Sequence, residues 1–511
     1  MRTRPSILLP TSVGLLLALL AVGVLAYVHQ LGTGDVATGM RTLGAGGAVW
    51  GLYVVMDGFF LGAGVAMMAA ACVARFSRDR EMEAVARVAM PSALLCFLAA
   101  ALSVMADQGR PSATLSNLML FGRPQSPLFA TFTSVGAVCL FGSLVHCVLA
   151  RRPDLAEYAK RPSLWQPLQR LLAAGYRGSA RERYRRQKAG FWMSLFMLPA
   201  LAVPLGALAI VFTVRPGRPV SLAMLEAAAF TVCSAAGGLG LLIIAAALVG
   251  RLAGARAGLG VRGFARLGRG LLLVDSLAVF SVVAAEIAGI ESGEPAASAC
   301  ARALLEDAYG SLFWSEMGLF LLACFLLWRA ARRSSMRPRV VVAASVFSAA
   351  AVFLQRYLEI VAWQTHGLLL PYQPGSYSPT GIEFAVVAGI VALGLLLLLP
   401  SVKLIPFAPA VYDHRPVPGR VVDARRALVT GLCFAAGLLI AGIGLGFSLR
   451  LTTDPFMDPA LPASPVVFIV GLALLATTGA VYELLPERVA EPGRAVSASG
   501  GAPAEPARPP R

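Results

Sequence analysis

One feature constrains this chain more than any other. Long runs of apolar residues, each ended by a short polar break, recur from one end to the other. Twelve of them are long enough to cross a hydrocarbon layer, which takes about 20 helical residues. They lie near 6–28, 47–74, 88–106, 128–150, 191–214, 221–249, 268–290, 309–331, 339–363, 382–402, 428–449 and 465–485. In lipid each segment must satisfy its backbone N–H and C=O groups internally, which makes these runs helices. A transmembrane barrel would show short stretches of alternating polarity instead. The sequence therefore predicts an all-α polytopic membrane protein of about twelve transmembrane helices. Composition agrees, since only 14% of the 511 residues are charged, against about 25% in soluble domains.

The net charge of +17 raises the question of nucleic acid, and its distribution answers it. Counting from the amino-terminal side, the basic residues crowd onto the breaks after alternate spans. Only Arg41, Arg110, Arg123, Arg215, Arg218, Arg302 and Arg450 fall in the opposite loops. This is the asymmetry of cytoplasmic loops, and it predicts both termini inside with no nucleic-acid surface. The most basic loop, 151–190, contains Leu164, Trp165, Leu168, Leu171 and Leu172 on one helical face. That pattern suits a helix lying in the inner interface. The first run follows Met1-Arg2-Thr3-Arg4 and is longer than a signal-peptide core, so it is read as a span, with cleavage near Val24-Leu25-Ala26 left open. Residues 487–511, rich in Pro, Ala and Gly, are expected to be a disordered cytoplasmic tail.

The eight cysteines form no CxxC or CxxCH pattern, so the chain is expected to hold no iron–sulfur cluster and no c-type haem. Its histidines are His29, His146, His366 and His414. His146 lies in an inner half and His414 in an inner loop, and His29 and His366 could share a side but both sit at interfaces, which argues against a b haem.

The acids inside the spans carry more information. Asp57, Glu226, Asp275, Glu286, Glu316, Glu359 and Glu383 fall within apolar runs, and Asp107 ends one. An ionised acid at the bilayer centre costs about 3 kcal/mol on insertion scales, so such groups face a bundle interior, pair, or stay protonated. Arg356 is the one cation away from the end of a span, with Glu359 on the same helical face and Glu316 as a second candidate partner. A structural ion pair and a ligand site remain equal alternatives there. The stretch 103–128, SVMADQGRPSATLSNLMLFGRPQSPL, ends the third span at the outer surface, closed by Gly109 and Pro111. Tyr53, Tyr309, Trp314, His366, Tyr372 and Tyr377 gather near the same side. An apolar groove with a few protonatable groups near one interface suits a quinone, whose tail needs hydrocarbon and whose carbonyls each need a donor or acid.

Several stretches, in order, resemble the NrfD/polysulfide-reductase-type membrane subunit family, near its hydrogenase-2 membrane-subunit (HybB-like) branch. They are WGLYVVMDGFFLGAG at 50–64, ADQGRP at 106–111 followed by SPL at 126–128, FWSEMG at 313–318, LQRYLEIVAW at 354–363, Tyr372, and SPTGIEFAVVAGIVALGLLLL at 378–398. Gln108 replaces the family's leucine, Gln355 its asparagine, and the second span lacks a histidine that some members carry.

The resemblance covers residues 1–407. It implies a ten-span core of two four-helix bundles, spans 2–5 and 6–9, flanked by spans 1 and 10, in a bacterial inner membrane. Residues 408–486 then add two spans with no assigned role. It also implies a subunit without a redox centre of its own, which binds menaquinone or ubiquinone near the outer face. Such a subunit exchanges electrons with a ferredoxin-like iron–sulfur subunit, linked onward to a multihaem cytochrome c or to molybdopterin or hydrogenase subunits.

On this reading Asp107, Glu316, Arg356 and Glu383 carry the proton chemistry. Tyr53, Asp57, Gln108, Arg110, Trp314, His366 and Tyr372 line the quinone site. Asp57, Asp275 and Glu286 extend a proton path inward. Two rivals are a twelve-span secondary transporter and a structural anchor of a redox complex. The longest inner loop follows span four, whereas a major-facilitator layout puts it after span six, and the two halves show no obvious inverted similarity.

Overall fold

The computed structural model describes residues 8–41, 47–77, 79–109, 112, 135–214, 219–253, 259–332, 336–365, 375–404, 424–453 and 464–485. Arg110, His366, Tyr372, the Ser-Pro motif at 126–128, His414 and the tail from 487 lie outside them. Among the described residues there is no strand, and the α-helices number fourteen. In chain order they are α1 (Leu8–Thr33), α2 (Leu52–Phe76), α3 (Arg80–Asp107), α4 (Ser143–Tyr158), α5 (Gln166–Ala173), α6 (Ala180–Thr213), α7 (Val220–Ala253) and α8 (Val261–Glu291). There follow α9 (Pro295–Leu305), α10 (Gly310–Arg332), α11 (Pro338–Thr365), α12 (Gly381–Leu404), α13 (Ala424–Thr453) and α14 (Ser464–Leu484). Eleven of these are long and apolar enough to cross a membrane. The predicted fourth span, 128–150, is described only from Val135, as a π-helical turn (Val135–Gly142) running into α4. The two short helices α5 and α9 lie between spans.

Local chemistry sets the helix starts. Asp79 caps α3 by accepting from the Glu81 N–H at 3.0 Å, and Ser179 with Glu182 forms a reciprocal capping box at α6. Prolines occur inside α3 (Pro91), α6 (Pro199, Pro204) and α12 (Pro400). Membrane helices tolerate them because neighbours re-satisfy the freed carbonyls. A short helix, α5, stands where an interfacial one is expected. Leu164 and Leu171 around it are 89% and 73% exposed, as a face meant for the lipid boundary would be.

α2, α3, the π/α4 segment and α6 pack as one four-helix bundle, and α7, α8, α10 and α11 as a second. α1 and α12 form a pair laid on α3. They approach so closely at Gly23 and Gly389 that a Cβ on Gly23 would come within 2.7 Å of the Gly389 Cα. The bundles join along α2, which contacts α7 and α11. Small residues make that seam. Gly58, Gly62 and Ala66 recur every fourth residue on α2, opposite Ser234 and Gly238 on α7. Without a hydrophobic drive between helices in lipid, close backbone approach of this kind is what holds spans together. The pair α13–α14 stands outside both bundles, with α14 against α6 and the π/α4 segment, and α13 mainly against α14.

The seam yields a stability prediction. A Cβ at Gly238 would lie 2.5 Å from the Ala66 Cβ and 2.8 Å from the Ala63 carbonyl oxygen. Gly238→Val should therefore cost about 1–3 kcal/mol and lower the melting temperature of the detergent-purified protein. Gly206→Ala, with nothing within 4 Å of the new atom, should leave it unchanged or raise it.

Candidate functional site

The structure divides the predicted residues between two clusters, one in each bundle, where the sequence pattern alone points to a single niche. Adjacency along a helix reports depth, but only packing reports which bundle interior a side chain enters.

The second-bundle cluster centres on Arg356 of α11, which is fully buried. Its guanidinium donates to the Phe230 carbonyl at 2.5 Å and to Ser234 Oγ at 2.7 Å, both on α7. It also donates to Gln355 Oε1 at 2.6 Å and Glu359 Oε2 at 3.2 Å, and it lies over the Phe230 ring. The ion pair anticipated between Arg356 and Glu359 is thus present. A small cavity of about 40 Å³ opens beside it, lined by Glu226, Glu286, Glu316 and Glu359 with Gln355, Cys300 and Phe313. That is room for a few waters. Glu316 is 1% exposed, and its Oε1 has no hydrogen-bond partner among the described residues. The guanidinium is within electrostatic reach of Glu359 and Glu316, and four carboxyl groups line the one small cavity, so their charge must be balanced by shared protons, hydrogen bonds or water as well. Deeper in the same bundle, Asp275 accepts from Ser348 Oγ at 2.7 Å, and its other oxygen has no partner among the described residues.

The first-bundle cluster forms where α1, α2, α3 and α12 meet. The last turn of α3 leaves carbonyls without intrahelical donors, and α1 supplies them. Tyr27 donates to the Met105 carbonyl at 3.2 Å and Gln30 Nε2 to the Ala106 carbonyl at 3.1 Å. The Tyr53 hydroxyl on α2 donates to Gln30 Oε1 at 2.6 Å. Asp107 is the final residue of α3, and Gly109 turns the chain away with φ +58°, as predicted for a helix ending in Gly. Asp107 is half-buried, and its Oδ1 is buried with no partner among the described residues. The carboxylates of Asp35 and Glu383 lie within electrostatic reach of it, and its own within reach of Asp57, one turn below Tyr53 on α2. Beside this cluster an apolar cavity of about 170 Å³ opens between α1, α3 and α12, lined by Tyr27, Met105, Ala106, Val386 and Ile390 among others.

Glu383 belongs to this end of the molecule, but it is fully engaged. Its oxygens accept from the Gly39 N–H at 2.7 Å, the Thr380 N–H at 2.8 Å and the Tyr377 hydroxyl at 2.5 Å. Tyr377 Oη in turn accepts from the Leu52 N–H at 2.7 Å. Gln364 Oε1 accepts from the Val49 and Trp50 N–H groups, both at 2.9 Å. Together they cap the start of α2. Burial, and then the hydrogen bond to Glu383, hold the Tyr377 phenol well above the usual tyrosine range.

Of the predicted lining residues, Tyr53, Asp57 and Gln108 lie at the Asp107 end. Trp314 does not. It is 61% exposed, with its indole N–H on the Leu305 carbonyl, because its position on α10 faces outward; its neighbour Phe313 lines the small cavity instead. Glu286 lines that cavity as well, apart from Asp57, so the predicted path Asp57–Asp275–Glu286 is divided between the bundles. Gln30, Asp35, Ser234 and Gln364 are absent from the sequence-derived set. For Gln30, Ser234 and Gln364 the available signal was an amide or hydroxyl in or beside an apolar run, weaker than a charge, and Asp35 lies in a loop, where an acid is ordinary.

The family described as "Polysulphide reductase, NrfD" matches residues 42–366, which takes in both four-helix bundles. Among curated proteins, the chain is similar to a putative membrane subunit of the dimethyl sulfoxide reductase of Halobacterium salinarum. The two are 26% identical over 425 residues, covering 78% of this chain and 92% of that protein.

Removing one partner of a buried ion pair costs about 3–5 kcal/mol. Arg356→Met strands Glu359, Ser234 and the Phe230 carbonyl together. The detergent-purified variant should melt well below the parent, and Arg356→Lys should fall between them.

Proposed function

The chain belongs to the polysulphide reductase NrfD family and is a membrane subunit of a redox complex; from that premise we propose that it is the subunit at which the complex meets the membrane quinone pool. The observation that carries this reading is the Asp107 carboxyl. Its Oδ1 is buried with no partner among the described residues, which calls for an explanation, and a quinol hydroxyl or quinone carbonyl supplies one. The apolar cavity beside Tyr27 and Ala106 suits the ring and tail, and Gln30, which donates to the carbonyl of Ala106, accepts a hydrogen bond from Tyr53 close by.

Quinol oxidation releases two protons and two electrons, and quinone reduction takes them up. Asp107 exchanges the proton at the outer end of α3, and Tyr53, held by Gln30, orients the polar head. Glu383 acts by position, keeping the start of α2 and therefore Tyr53 and Asp57 in place. The electrons pass to and from an iron–sulfur subunit seated on the extracytoplasmic face. The charge asymmetry of the loops supports that orientation, with both termini in the cytoplasm of a bacterial cell. Glu316, Glu286 and Asp275 give the second bundle a set of protonatable groups for moving protons inward.

The assembled complex tests this. Asp107→Asn should lower quinol-dependent turnover about a hundredfold, the contribution of one general acid–base group, with the subunits still associated. Unchanged turnover would remove Asp107 from the chemistry. An intact parent complex that never reacts with quinol would point to a purely structural anchor. In proteoliposomes, Glu316→Gln should reduce protons moved per electron while quinol turnover stays near the parent value. Equal ratios in both proteins would confine Glu316 to packing.

A further inference from the structure

The largest of the cavities described lies in neither acid cluster. It measures about 510 Å³ and sits between the inner half of α6 and the added pair α13–α14. Its wall is apolar, built from Trp192, Phe196, Phe434 and Leu475 among others. Its polar groups are few. The exposed Lys188 ammonium stands 5.1 Å from the centroid of the Tyr482 ring, and the Thr430 hydroxyl oxygen is buried with no partner among the described residues. Lys188 closes the basic run that begins at Arg181, and Arg425, also exposed, stands at the start of α13. One end of an otherwise greasy slot is therefore cationic.

We infer that this slot is a binding site for an anionic phospholipid of the inner leaflet, one acyl chain lying between α6, α13 and α14 and the phosphate at Lys188. Charge complementarity selects the occupant. Basic pockets between transmembrane helices on the cytoplasmic side suit acidic headgroups, and the apolar wall suits a hydrocarbon chain. Packing explains the need. α14 reaches the first bundle, but α13 rests mainly on α14, so the space beside α6 is left for a lipid to fill. A bound chain would fasten the added pair to the core and give residues 424–485 a role that the family match, which ends at 366, does not provide.

The test uses the full chain purified in mild detergent, read by native mass spectrometry and phosphorus analysis. About one phosphatidylglycerol or cardiolipin should stay bound. Adding phosphatidylglycerol to delipidated protein should raise its melting temperature, and phosphatidylcholine should not. Lys188→Gln should weaken retention about fivefold, the loss of one cation at an anionic surface. Gly431→Leu should weaken it too, by filling the slot; a Cβ there meets nothing within 4 Å, so folding is preserved. Retention equal to the parent in both variants, a zwitterionic lipid held as tightly, or a quinone or protein segment found in the slot would each overturn the assignment.

Discussion

A single guanidinium at the seam between two bundles organises this molecule. Arg356 is anchored on α11 and donates two hydrogen bonds to α7, and its aliphatic stem lies 3.7 Å from where a Cβ on Gly58 of α2 would be. It thus ties together three helices that come from both bundles. An unpaired charge in that place would cost more than the seam's dispersion contacts return. Its geometry therefore constrains the rest, and Ser234, Gln355 and Glu359 are all placed to meet it. The glycines of α2 have the complementary part. They let α7 come close enough for the bonds to form.

Around that seam, polarity is arranged asymmetrically. In the second bundle the acids surround a space fit for water and are coupled to a cation. In the first bundle the acids gather at the end of α3, where helix termini leave polar backbone groups to be satisfied, next to an apolar cavity. The first arrangement suits storing and passing protons, and the second suits a lipid-soluble carrier that must present a polar head to protein and a tail to hydrocarbon. A redox subunit in a membrane needs both. On the proposed reading, the seam separates the acids of the second bundle from the site assigned to the quinone.

Much of this was legible in the residues. Glu316 and Arg356 stand out because charge inside an apolar run is costly and therefore placed with purpose, and both are buried in the second bundle; Asp107 stands out as the acid that ends a span, and it is half-buried there. The Arg356–Glu359 pair was legible because three residues along a helix return to one face. Glu383 was legible as a buried acid, and Thr380-x-x-Glu383 has the form of a capping box, but its hold on Gly39 and Tyr377 was not legible, because these come from loops with no periodicity. Trp314 was misplaced because an aromatic near a span end reads the same whether it faces a cavity or lipid. Gln30 and Gln364 escaped because amides are tolerated near interfaces, and their purpose appears only once the carbonyls of α3 and the N–H groups of α2 are beside them.

Hydropathy and charge are properties of short windows, so the sequence alone determined the class of fold, the approximate limits of each span, the expected orientation of the loops and the set of acids that required explanation. Which of those acids share a cavity, that Glu383 closes a helix start, and that α13 and α14 leave a cationic slot against α6 were decided only by tertiary structure. The physical reason is that a helix presents several faces at every depth, and its amino acids do not say which neighbour each face will meet.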